Sequence, residues 1–480
     1  MDKLELKPQL VFKYFAELNK VPRPSKKEGK AIAFLQDFAK KHNLPCKTDA
    51  AGNVLITKAA TAGYESKPVV VLQSHIDMVC EKTTDRVIDF ENDPIETYID
   101  GEWMKARGTT LGADDGIGVA IEMALLTDDS IEHGPIECLF TVDEETGLTG
   151  AFELQPGFFT GKYLLNLDSE DEGEIFIGCA GGAGTTATLP LQTEPLRKSF
   201  FPLHISVDKL RGGHSGGDIH DHRANAIKTL TRFIYLEMQK YDLRLIDLQG
   251  GNLHNAIPRD AEAIIAVPFD KKEDVRVDFN IFASEFEDEY PDEKNAEFYL
   301  ESCTDVEECI VPEQAEKIIN AFAAVFNGVY EMSVLIPGLV ETSSSLASVH
   351  FADGVMKVVT SQRSSIGSQR IALSNTIAAT FKLIGADVTI GDGYPGWKPN
   401  PKSAILNVAN ETYKKLFGKD PKIKAIHAGL ECGLFSEKYP GLDMISFGPT
   451  LRNVHTPDEA LLIPTVDMVW RHILEILKCV

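Results

Sequence analysis

The stretch VVVLQSHIDMVCE, residues 69–81, joins an apolar run directly to two polar side chains. Residues 69–72 are apolar without interruption, which is typical of a strand in a parallel sheet that is covered on both faces. His75 and Asp77 come at the end of this run. Because a buried charge is costly unless it is paired or bound to a metal, these two residues predict a metal site or a polar network where the strand ends.

Three other short apolar runs in the first part of the chain have the same form. They are NVLITKA, IECLFTVDEE and KYLLNLDSE, and segments with helical spacing alternate with such runs. Strands that alternate with helices predict an α/β fold with a central, largely parallel sheet. Ligands of open α/β sheets bind near the carboxyl ends of the strands, where this sequence places its acidic residues. The sequence therefore predicts a functional site at that edge of the sheet.

The domain organisation follows from length and from two changes of pattern. A chain of 480 residues is longer than one compact core usually holds, so two domains are expected. After the glycine-rich IGCAGGAGTT the apolar residues alternate with polar ones, as in half-exposed antiparallel strands, and the α/β pattern returns at about residue 387. We predict an α/β metal-binding domain formed by residues 1–185 and 386–480, interrupted by an inserted α+β domain of residues 186–385.

Composition and net charge argue against nucleic acid and membranes as partners and predict where the protein is located. The formal net charge is −24, which repels nucleic acid and anionic membranes, so neither is expected as a partner. No apolar run approaches the ~20 residues of a membrane span, and the first residues lack the apolar core of a signal peptide. The 8 cysteines form no C-x-x-C pair and indicate reduced thiols. These observations predict a cytoplasmic location.

The segment RGTTLGADDGIGV places Asp114 and Asp115 among glycines just before a predicted helix. A helix N-cap would explain one aspartate but not two. Glycines allow a backbone to approach a ligand closely, which favours a binding loop over a plain cap.

The segment LFTVDEETGLTG ends a predicted strand in Asp143, Glu144 and Glu145. Three successive acids at a buried strand end would repel one another without a cation, and a solvated turn is the alternative. Neighbouring residues point in different directions. One glutamate can therefore bind a metal while the other faces a reacting water.

Asp168 in LLNLDSE and His455 in NVHTPDE add one more acid and one more histidine. Histidine combined with carboxylates suits zinc, with cobalt or manganese as alternatives. A bridging carboxylate can hold two such ions about 3.5–4 Å apart. Residues two apart on a strand face the same side, so Asp77 can accept the N–H of the His75 ring whose other nitrogen binds metal. The pattern predicts a site for two zinc ions.

The order of these motifs resembles the M20 family of dinuclear zinc peptidases. The matching motifs are H-x-D, G-x-D-D-G, D-E-E-T-G, L-D and N-x-H-T-P-D-E, and the resemblance covers essentially the whole chain. The segments QSHIDMVCEK, GADDGIG, RGGHSGGDIH, NAIPR and HAGLECG are most similar to the aminoacylhistidine dipeptidase branch, which cleaves Xaa-His dipeptides of the carnosine type.

The resemblance implies a role for each matching residue of the metal-binding domain. Asp77 would orient His75, and Glu144 would be the general base. Asp114 is preferred over Asp115 as the bridging ligand because it aligns as the first acid of the doublet. The implied metal ligands are His75 and Asp168 for one ion, Glu145 and His455 for the other, and Asp114 between them.

The inserted domain corresponds to the family's lid, and three of its residues match functional positions. His214 in RGGHSGGDIH would help to stabilise the oxyanion. Asn255 in HNAIPR would hold the far end of the substrate, and Arg363 in SQRSS would hold its carboxylate. The resemblance leaves open whether His214 acts within its own chain or across a homodimer.

The reaction implied by the resemblance is hydrolysis of unblocked dipeptides, in particular Xaa-His including β-Ala-His, by a water that Glu144 activates. The expected partner is thus a small dipeptide, and no covalent intermediate is expected. Two alternatives stay open. An N-acyl-amino-acid deacylase on the same scaffold would share every metal ligand, and a non-catalytic metal-binding protein would bind metal without turnover.

Overall fold

The structure is a computed structural model that describes residues 6–304 and 306–480. Over these residues the chain forms α-helices, β-strands and one 3-10 helix at Phe269–Lys271. The α-helices are α1 (Gln9–Leu18), α2 (Gly29–Lys41), α3 (Ala113–Thr127), α4 (Glu144–Gly147), α5 (Thr149–Glu153), α6 (Ala226–Lys240), α7 (Lys272–Glu289), α8 (Pro312–Ala324), α9 (Gly367–Lys382), α10 (Ala404–Phe417), α11 (Glu431–Lys438) and α12 (Ile463–Cys479).

The strands are short except in the middle of the chain, where three of them reach ten residues or more. They are β1 (Cys46–Thr48), β2 (Val54–Lys58), β3 (Val70–His75), β4 (Thr97–Asp100), β5 (Trp103–Ala106), β6 (Ile136–Thr141), β7 (Tyr163–Asn166), β8 (Glu174–Cys179), β9 (Gly181–Pro190), β10 (Thr193–Pro195), β11 (Phe200–Asp208), β12 (Gly213–His214), β13 (Arg244–Gly250), β14 (Ala256–Ile257), β15 (Ala261–Pro268), β16 (Glu297–Ser302), β17 (Glu308–Ile310), β18 (Gly328–Met332), β19 (Val340–Ala352), β20 (Val355–Ser364), β21 (Asp387–Ile390), β22 (Lys422–Ile426), β23 (Asp443–Ser446), β24 (Leu451–Arg452) and β25 (Ala460–Leu462).

The chain divides into two compact units. The first unit extends to Cys179 and resumes over Trp397–Ala425 and Leu430–Val480. The second unit comprises Ala180–Gly396 together with Ile426–Gly429. The first unit is therefore built from segments that precede and follow the second unit along the chain.

The first unit contains a sheet of eight strands in the order β1-β2-β6-β3-β7-β23-β8-β22. Its four central strands, β6, β3, β7 and β23, run parallel to one another. All six residues of β3 are buried, because helices cover both faces of a parallel sheet. The predicted α/β fold with a central, largely parallel sheet is confirmed. A separate four-stranded sheet has the order β24-β25-β5-β4.

Helix α3 is buried almost all round and packs against β3 and α1. Apart from the buried Glu122, its sequence after the aspartate doublet, GIGVAIEMALL, consists of small and apolar side chains, which is the composition expected of an internal helix. Asp114 and Asp115 have non-helical backbone angles, and the peptide bond between them is cis. Because of these non-helical angles, the regular helical geometry of α3 begins after Asp115.

The second unit is built on a nine-stranded antiparallel sheet. Eight strands follow the order β16-β11-β15-β13-β19-β20-β9-β21, and β18 pairs with β19. Phenylalanines from α6, α7, α8 and α9 fill the core on this sheet, among them Phe233, Phe279, Phe322 and Phe381. Asp387–Ile390, which the sequence pattern attributed to the metal-binding domain, pairs with β9 in this sheet.

Among the described residues, no helix combines the length and the apolar character needed to cross a bilayer.

Candidate metal centre

The predicted metal ligands of the first unit lie at the ends of its strands and helices. His75 is the last residue of β3, and Glu145 lies in the first turn of α4, directly after β6. Asp168 follows β7, and Asp114 lies at the start of α3. His455 lies in the turn between β24 and β25, where its φ of 62° is left-handed. Parallel strands end at one edge of the sheet, so residues distant in sequence meet there.

Asp114 is at the centre of this arrangement, because its two carboxylate oxygens face two different histidines. Asp114 Oδ1 lies 3.2 Å from His75 Nε2. Asp114 Oδ2 lies 3.1 Å from His455 Nε2. A carboxylate in this position can bridge two cations, one on the side of each imidazole.

Each histidine also faces a second carboxylate. His75 Nε2 is 3.5 Å from Asp168 Oδ1, and His455 Nε2 is 2.9 Å from Glu145 Oε2. One donor atom each from His75, Asp114 and Glu145 lies within 4.8 Å of the others. The structure thus brings together all five predicted metal ligands, in two imidazole–carboxylate groups that share Asp114.

Asp77 is fully buried behind the cluster and has four neighbours that fix it. Its Oδ1 lies 3.3 Å from His75 Nδ1 and accepts the backbone N–H of Glu144 at 3.0 Å. Its Oδ2 accepts the Ser25 hydroxyl at 2.8 Å and the backbone N–H of Glu145 at 3.2 Å. Asp77 therefore orients the His75 ring and also holds the first turn of α4, a second contact that H-x-D spacing alone does not indicate.

The electrostatics of the cluster fit a divalent cation. Burial raises the pKa of Asp168 to about 7. Hydrogen bonds to Asp114 and Glu145 raise the pKa of His455 to about 11. Carboxylates that favour a positive charge on a neighbouring imidazole favour a metal ion in the same place, and imidazole nitrogen with carboxylate oxygen is a donor set of zinc. Among the described residues, the buried Glu145 Oε1 has no hydrogen-bond partner, which leaves it available as a ligand atom.

Glu144 lies beside the ligands without being one of the five. Its backbone is held by Asp77, as described above. Burial, followed by the charges of Asp168, Glu431 and Glu145, raises the pKa of its side chain well above the usual range, against the opposing effect of His75. A carboxylate that gains proton affinity in this way is suited to general-base chemistry.

The second unit contains a separate polar group around Arg363. Arg363 is buried; its Nη1 donates to the Tyr394 hydroxyl at 2.9 Å, and its Nη2 lies 3.3 Å from His214 Nε2. Within the described part of the chain no carboxylate pairs with this guanidinium, and its Nε has no hydrogen-bond partner. A buried arginine without a carboxylate partner is suited to binding an anionic group of a ligand.

The hydrogen bonds of His214 define which ring nitrogen carries the proton. Its Nδ1 accepts the backbone N–H of Gly217 at 2.9 Å and that of Gly216 at 3.3 Å. Burial and the charge of Arg363 lower the pKa of His214 to about 4. The neutral ring therefore has its hydrogen on Nε2, and this N–H lies beside the N–H groups of Arg363. Two adjacent donors with no acceptor between them can share one anionic oxygen.

Asn255 lies next to this group through the backbone. His214 pairs with Ala256 in the short β12–β14 ladder, and the Asn255 carbonyl accepts the N–H of Ser215 at 2.8 Å. The Asn255 side chain is exposed. The structure thus brings His214, Asn255 and Arg363 into one region of the second unit of a single chain.

The sequence predictions missed two residues, Glu431 in the first unit and Tyr394 beside Arg363 in the second. Glu431, in the HAGLECG segment, is buried; its Oε2 accepts from Gln73 Nε2 at 2.6 Å and from the Thr141 hydroxyl at 2.8 Å. Tyr394 contacts Arg363, and its signal was only a GDGY turn. The family-like HAGLECG segment was the signal that could have found Glu431.

The chain also matches known proteins along its whole length. A sequence profile of peptidase family M20/M25/M40 matches residues 71–477. The chain is 42% identical over 475 residues to the cytosol non-specific dipeptidase of Escherichia coli (strain K12), across 99% of this chain and 98% of that protein.

Solved structures agree with the sequence matches. The crystal structure of aminoacylhistidine dipeptidase from Vibrio alginolyticus has a TM-score of 0.92 and 40% identity, over 99% of this chain and 97% of that chain. A tripeptidase from Staphylococcus aureus, at 16% identity and a TM-score of 0.57 over 99% of this chain and 98% of that chain, shares the fold. The predicted fold class and family are confirmed. The chain is a member of peptidase family M20/M25/M40.

Proposed function

We propose that this chain is a metal-dependent dipeptidase whose reaction takes place at the acidic cluster around Asp114. The observation that carries the proposal is the position of Asp114, whose two oxygens lie 3.2 and 3.1 Å from two different histidines. Glu144 lies beside them in the chain as a half-buried carboxylate of raised pKa. The match along nearly all of both chains to a protein named as a dipeptidase supports the same reaction.

Two zinc ions fit this donor set, and cobalt or manganese have similar ligand preferences. We assign one ion to His75, Asp114 and Asp168, and the other to Asp114, Glu145 and His455. Bound ions of this kind supply Lewis acidity and lower the pKa of water from its bulk value towards about 7.

Glu144 moves the proton in the proposed reaction. Its carboxylate takes a proton from the attacking water as the new C–O bond forms at the peptide carbonyl. When the C–N bond breaks, Glu144 gives this proton to the leaving amine. The π electrons of the carbonyl move onto its oxygen as the C–O bond forms and return when the C–N bond breaks, so the reaction needs no covalent enzyme intermediate. Asp77 contributes by holding the Glu144 backbone at 3.0 Å and the His75 ring in place.

In the second unit, we assign substrate binding to His214, Asn255 and Arg363. The neutral His214 ring offers an Nε2–H donor that can stabilise an oxyanion. Arg363 offers a buried, planar set of N–H donors for a carboxylate, a geometry that lysine lacks. The Asn255 side chain is exposed beside His214 and would bind the far end of the substrate.

The proposed substrates are unblocked dipeptides, in particular Xaa-His including β-Ala-His. Two relatives bear on this choice and differ in their names. The Escherichia coli relative is named a non-specific dipeptidase, whereas the Vibrio alginolyticus structure is of an aminoacylhistidine dipeptidase. An acidic site tolerates the free, positively charged amine that blocked substrates lack.

A competition between small substrates is expected to distinguish the dipeptidase from the deacylase and from a non-catalytic metal-binding protein. We expect Ala-His and β-Ala-His to be cleaved faster than Ala-Leu, and all three faster than Ala-Ala-His, N-acetyl-His or Ala-His amide. The amide lacks the carboxylate that Arg363 would bind. Product release is measured by amino-acid chromatography at saturating zinc.

Each other outcome of the same panel corrects one part of the proposal. Faster cleavage of N-acetyl-His than of Ala-His would indicate the deacylase. Equal rates on Ala-His and Ala-Leu would keep the dipeptidase and remove the histidine preference. Metal binding without cleavage of any compound would indicate a non-catalytic protein.

We infer a cytosolic location from the name of the Escherichia coli relative together with the absence of paired cysteines among the described residues. A homodimer stays a prediction. His214 and Arg363 of one chain lie 3.3 Å apart, which supports their binding the same substrate molecule, and whether His214 acts within its own chain or across a dimer stays open.

A further inference from the structure

Arg23 is a buried arginine of the first unit whose guanidinium donates hydrogen bonds to three backbone carbonyls. It is 2% exposed. Its Nη1 donates to the carbonyls of Ile76 and Asp77 at 3.2 and 3.1 Å, and its Nη2 donates to the carbonyl of Gly112 at 2.5 Å. One guanidinium therefore joins the loop after β3 to the loop before α3. His75 immediately precedes the first of these loops, and Asp114 lies two residues after Gly112 in the second.

Glu459 is a buried glutamate that bonds to the same loop from the other side. It is 2% exposed and lies in the turn that also carries His455. Its carboxylate accepts four consecutive backbone N–H groups: Oε2 from Leu111 at 2.7 Å and Gly112 at 3.0 Å, and Oε1 from Ala113 at 2.8 Å and Asp114 at 3.3 Å. The turn of His455 is thus attached directly to the backbone of Asp114.

The peptide units of Gly112 lie between the two charges. The Gly112 N–H donates to Glu459, and the Gly112 carbonyl accepts from Arg23. The residue has a left-handed φ of +67°, and a Cβ at this position would lie 2.5 Å from Arg23 Nη2. Only glycine fits both conditions without a shift of the arginine. The positive charge of Arg23 and the negative charge of Glu459 are both buried, and both side chains bind the backbone of Gly112. Removal of one charge would leave the other buried without an opposite charge nearby.

We propose that Arg23 and Glu459 are positioning residues that fix the spacing of His75, Asp114 and His455 before a metal ion binds. This inference rests on the proposed metal centre. Asp114 has to face both histidines at once. A small movement of its loop relative to His75 or His455 would therefore change the distances within both groups of ligands. The hydrogen bonds of Arg23 hold the loop to the His75 side, and those of Glu459 hold it to the His455 side.

The test is the zinc affinity of the Glu459→Gln variant. Glutamine keeps the shape of the side chain but replaces one acceptor oxygen with an NH₂ group that faces backbone N–H donors. We expect zinc to bind about 10–100-fold more weakly, measured by competition with a chromophoric chelator. Dipeptide hydrolysis should fall at limiting zinc and recover with excess zinc. Because zinc binding also stabilises the folded state, circular dichroism of the metal-free variant has to show a wild-type fold before the zinc affinities are compared.

Asp458→Asn is the matched control, because Asp458 is the neighbouring carboxylate and is exposed. Its zinc affinity should equal that of the wild type. If Glu459→Gln does not fold, Arg23→Lys gives the second test. Lysine keeps the charge opposite Glu459 but lacks the fork that joins both loops, so zinc affinity should again fall.

The outcomes separate this inference from the proposed function. Zinc binding by the wild type with unchanged affinity in Glu459→Gln, or in Arg23→Lys where the first variant does not fold, would overturn the positioning role alone. Activity loss that excess zinc does not reverse would also overturn it. A wild-type protein that binds no zinc would overturn the metal centre itself and this inference with it.

Discussion

Replacement of Glu144 by glutamine is expected to lower kcat by about 10²–10⁴-fold while zinc content stays at the wild-type value. The change keeps the size of the side chain and removes the group that accepts the proton. The backbone N–H of Glu144, which donates to Asp77 at 3.0 Å, is retained, so the first turn of α4 should keep its place. Turnover of Ala-His and zinc content by mass spectrometry check the two halves of the prediction.

Glu145→Gln is the matched control, since it makes the same change one residue further along. Glu145 Oε2 lies 2.9 Å from His455 Nε2, so this variant should lose zinc rather than the base. Weaker zinc binding in Glu144→Gln, combined with normal zinc content in Glu145→Gln, would show that the two roles are exchanged.

Replacement of Asp114 by asparagine is expected to remove at least one zinc ion and to lower kcat by more than about 10²-fold, the usual scale for losing an electrostatic stabiliser of the transition state. An amide has one oxygen and one NH₂ group, so it cannot offer an oxygen to both sides as the carboxylate does. Zinc content and kcat are measured on the same preparation.

Asp115→Asn is the comparison that makes this result specific. Burial raises the pKa of Asp115 well above its usual range, and asparagine keeps the size of the side chain and one acceptor oxygen. A Cβ on Gly118 would lie 2.3 Å from Asp115 Oδ1, so glycine makes room for the Asp115 side chain. We expect this variant to keep its zinc. Loss of zinc from Asp115→Asn with retention in Asp114→Asn would mean that the bridging ligand was assigned to the wrong residue.

The strand-end residues could be predicted from sequence because parallel strands end at the same edge of a sheet. His75 is the last residue of its strand, and Glu145 and Asp168 follow the ends of theirs within a few residues, so their meeting place is a consequence of topology. The choice between Asp114 and its neighbour could not be made from the pattern, since both lie among the same glycines. Resemblance to a family supplied that choice.

The scaffold behind the ligands could not be predicted. Arg23 lies in KVPRPSKKEGK, a run of prolines and cations that is typical of an exposed turn. Its burial depends on carbonyl groups 53 and 89 residues away in sequence. The glycines beside the aspartate doublet predict room for a ligand. At Gly112 and Gly116 the space is taken by the Arg23 guanidinium, since a Cβ on either would lie 2.5 Å from its Nη2.

Strand β21 illustrates a different limit. The sequence ADVTIGDGY has the same apolar character as the strands of the first unit, and it was attributed to that domain. Its pairing with β9 is decided by hydrogen bonds to a strand about 200 residues earlier in the chain. Local pattern indicates that such a segment is a strand, but not to which sheet it belongs.

The most direct measurement is the zinc content of the purified protein before and after chelation, with Ala-His hydrolysis followed on the same samples. We expect about two zinc ions per chain, loss of hydrolysis when they are removed, and recovery when zinc is restored. Circular dichroism should show that the secondary structure persists without metal, because the apolar strands of the first unit form its core independently of the ligands. A metal-free protein that hydrolyses Ala-His at the full rate would contradict the assignment of the Asp114 cluster as a metal-dependent active site.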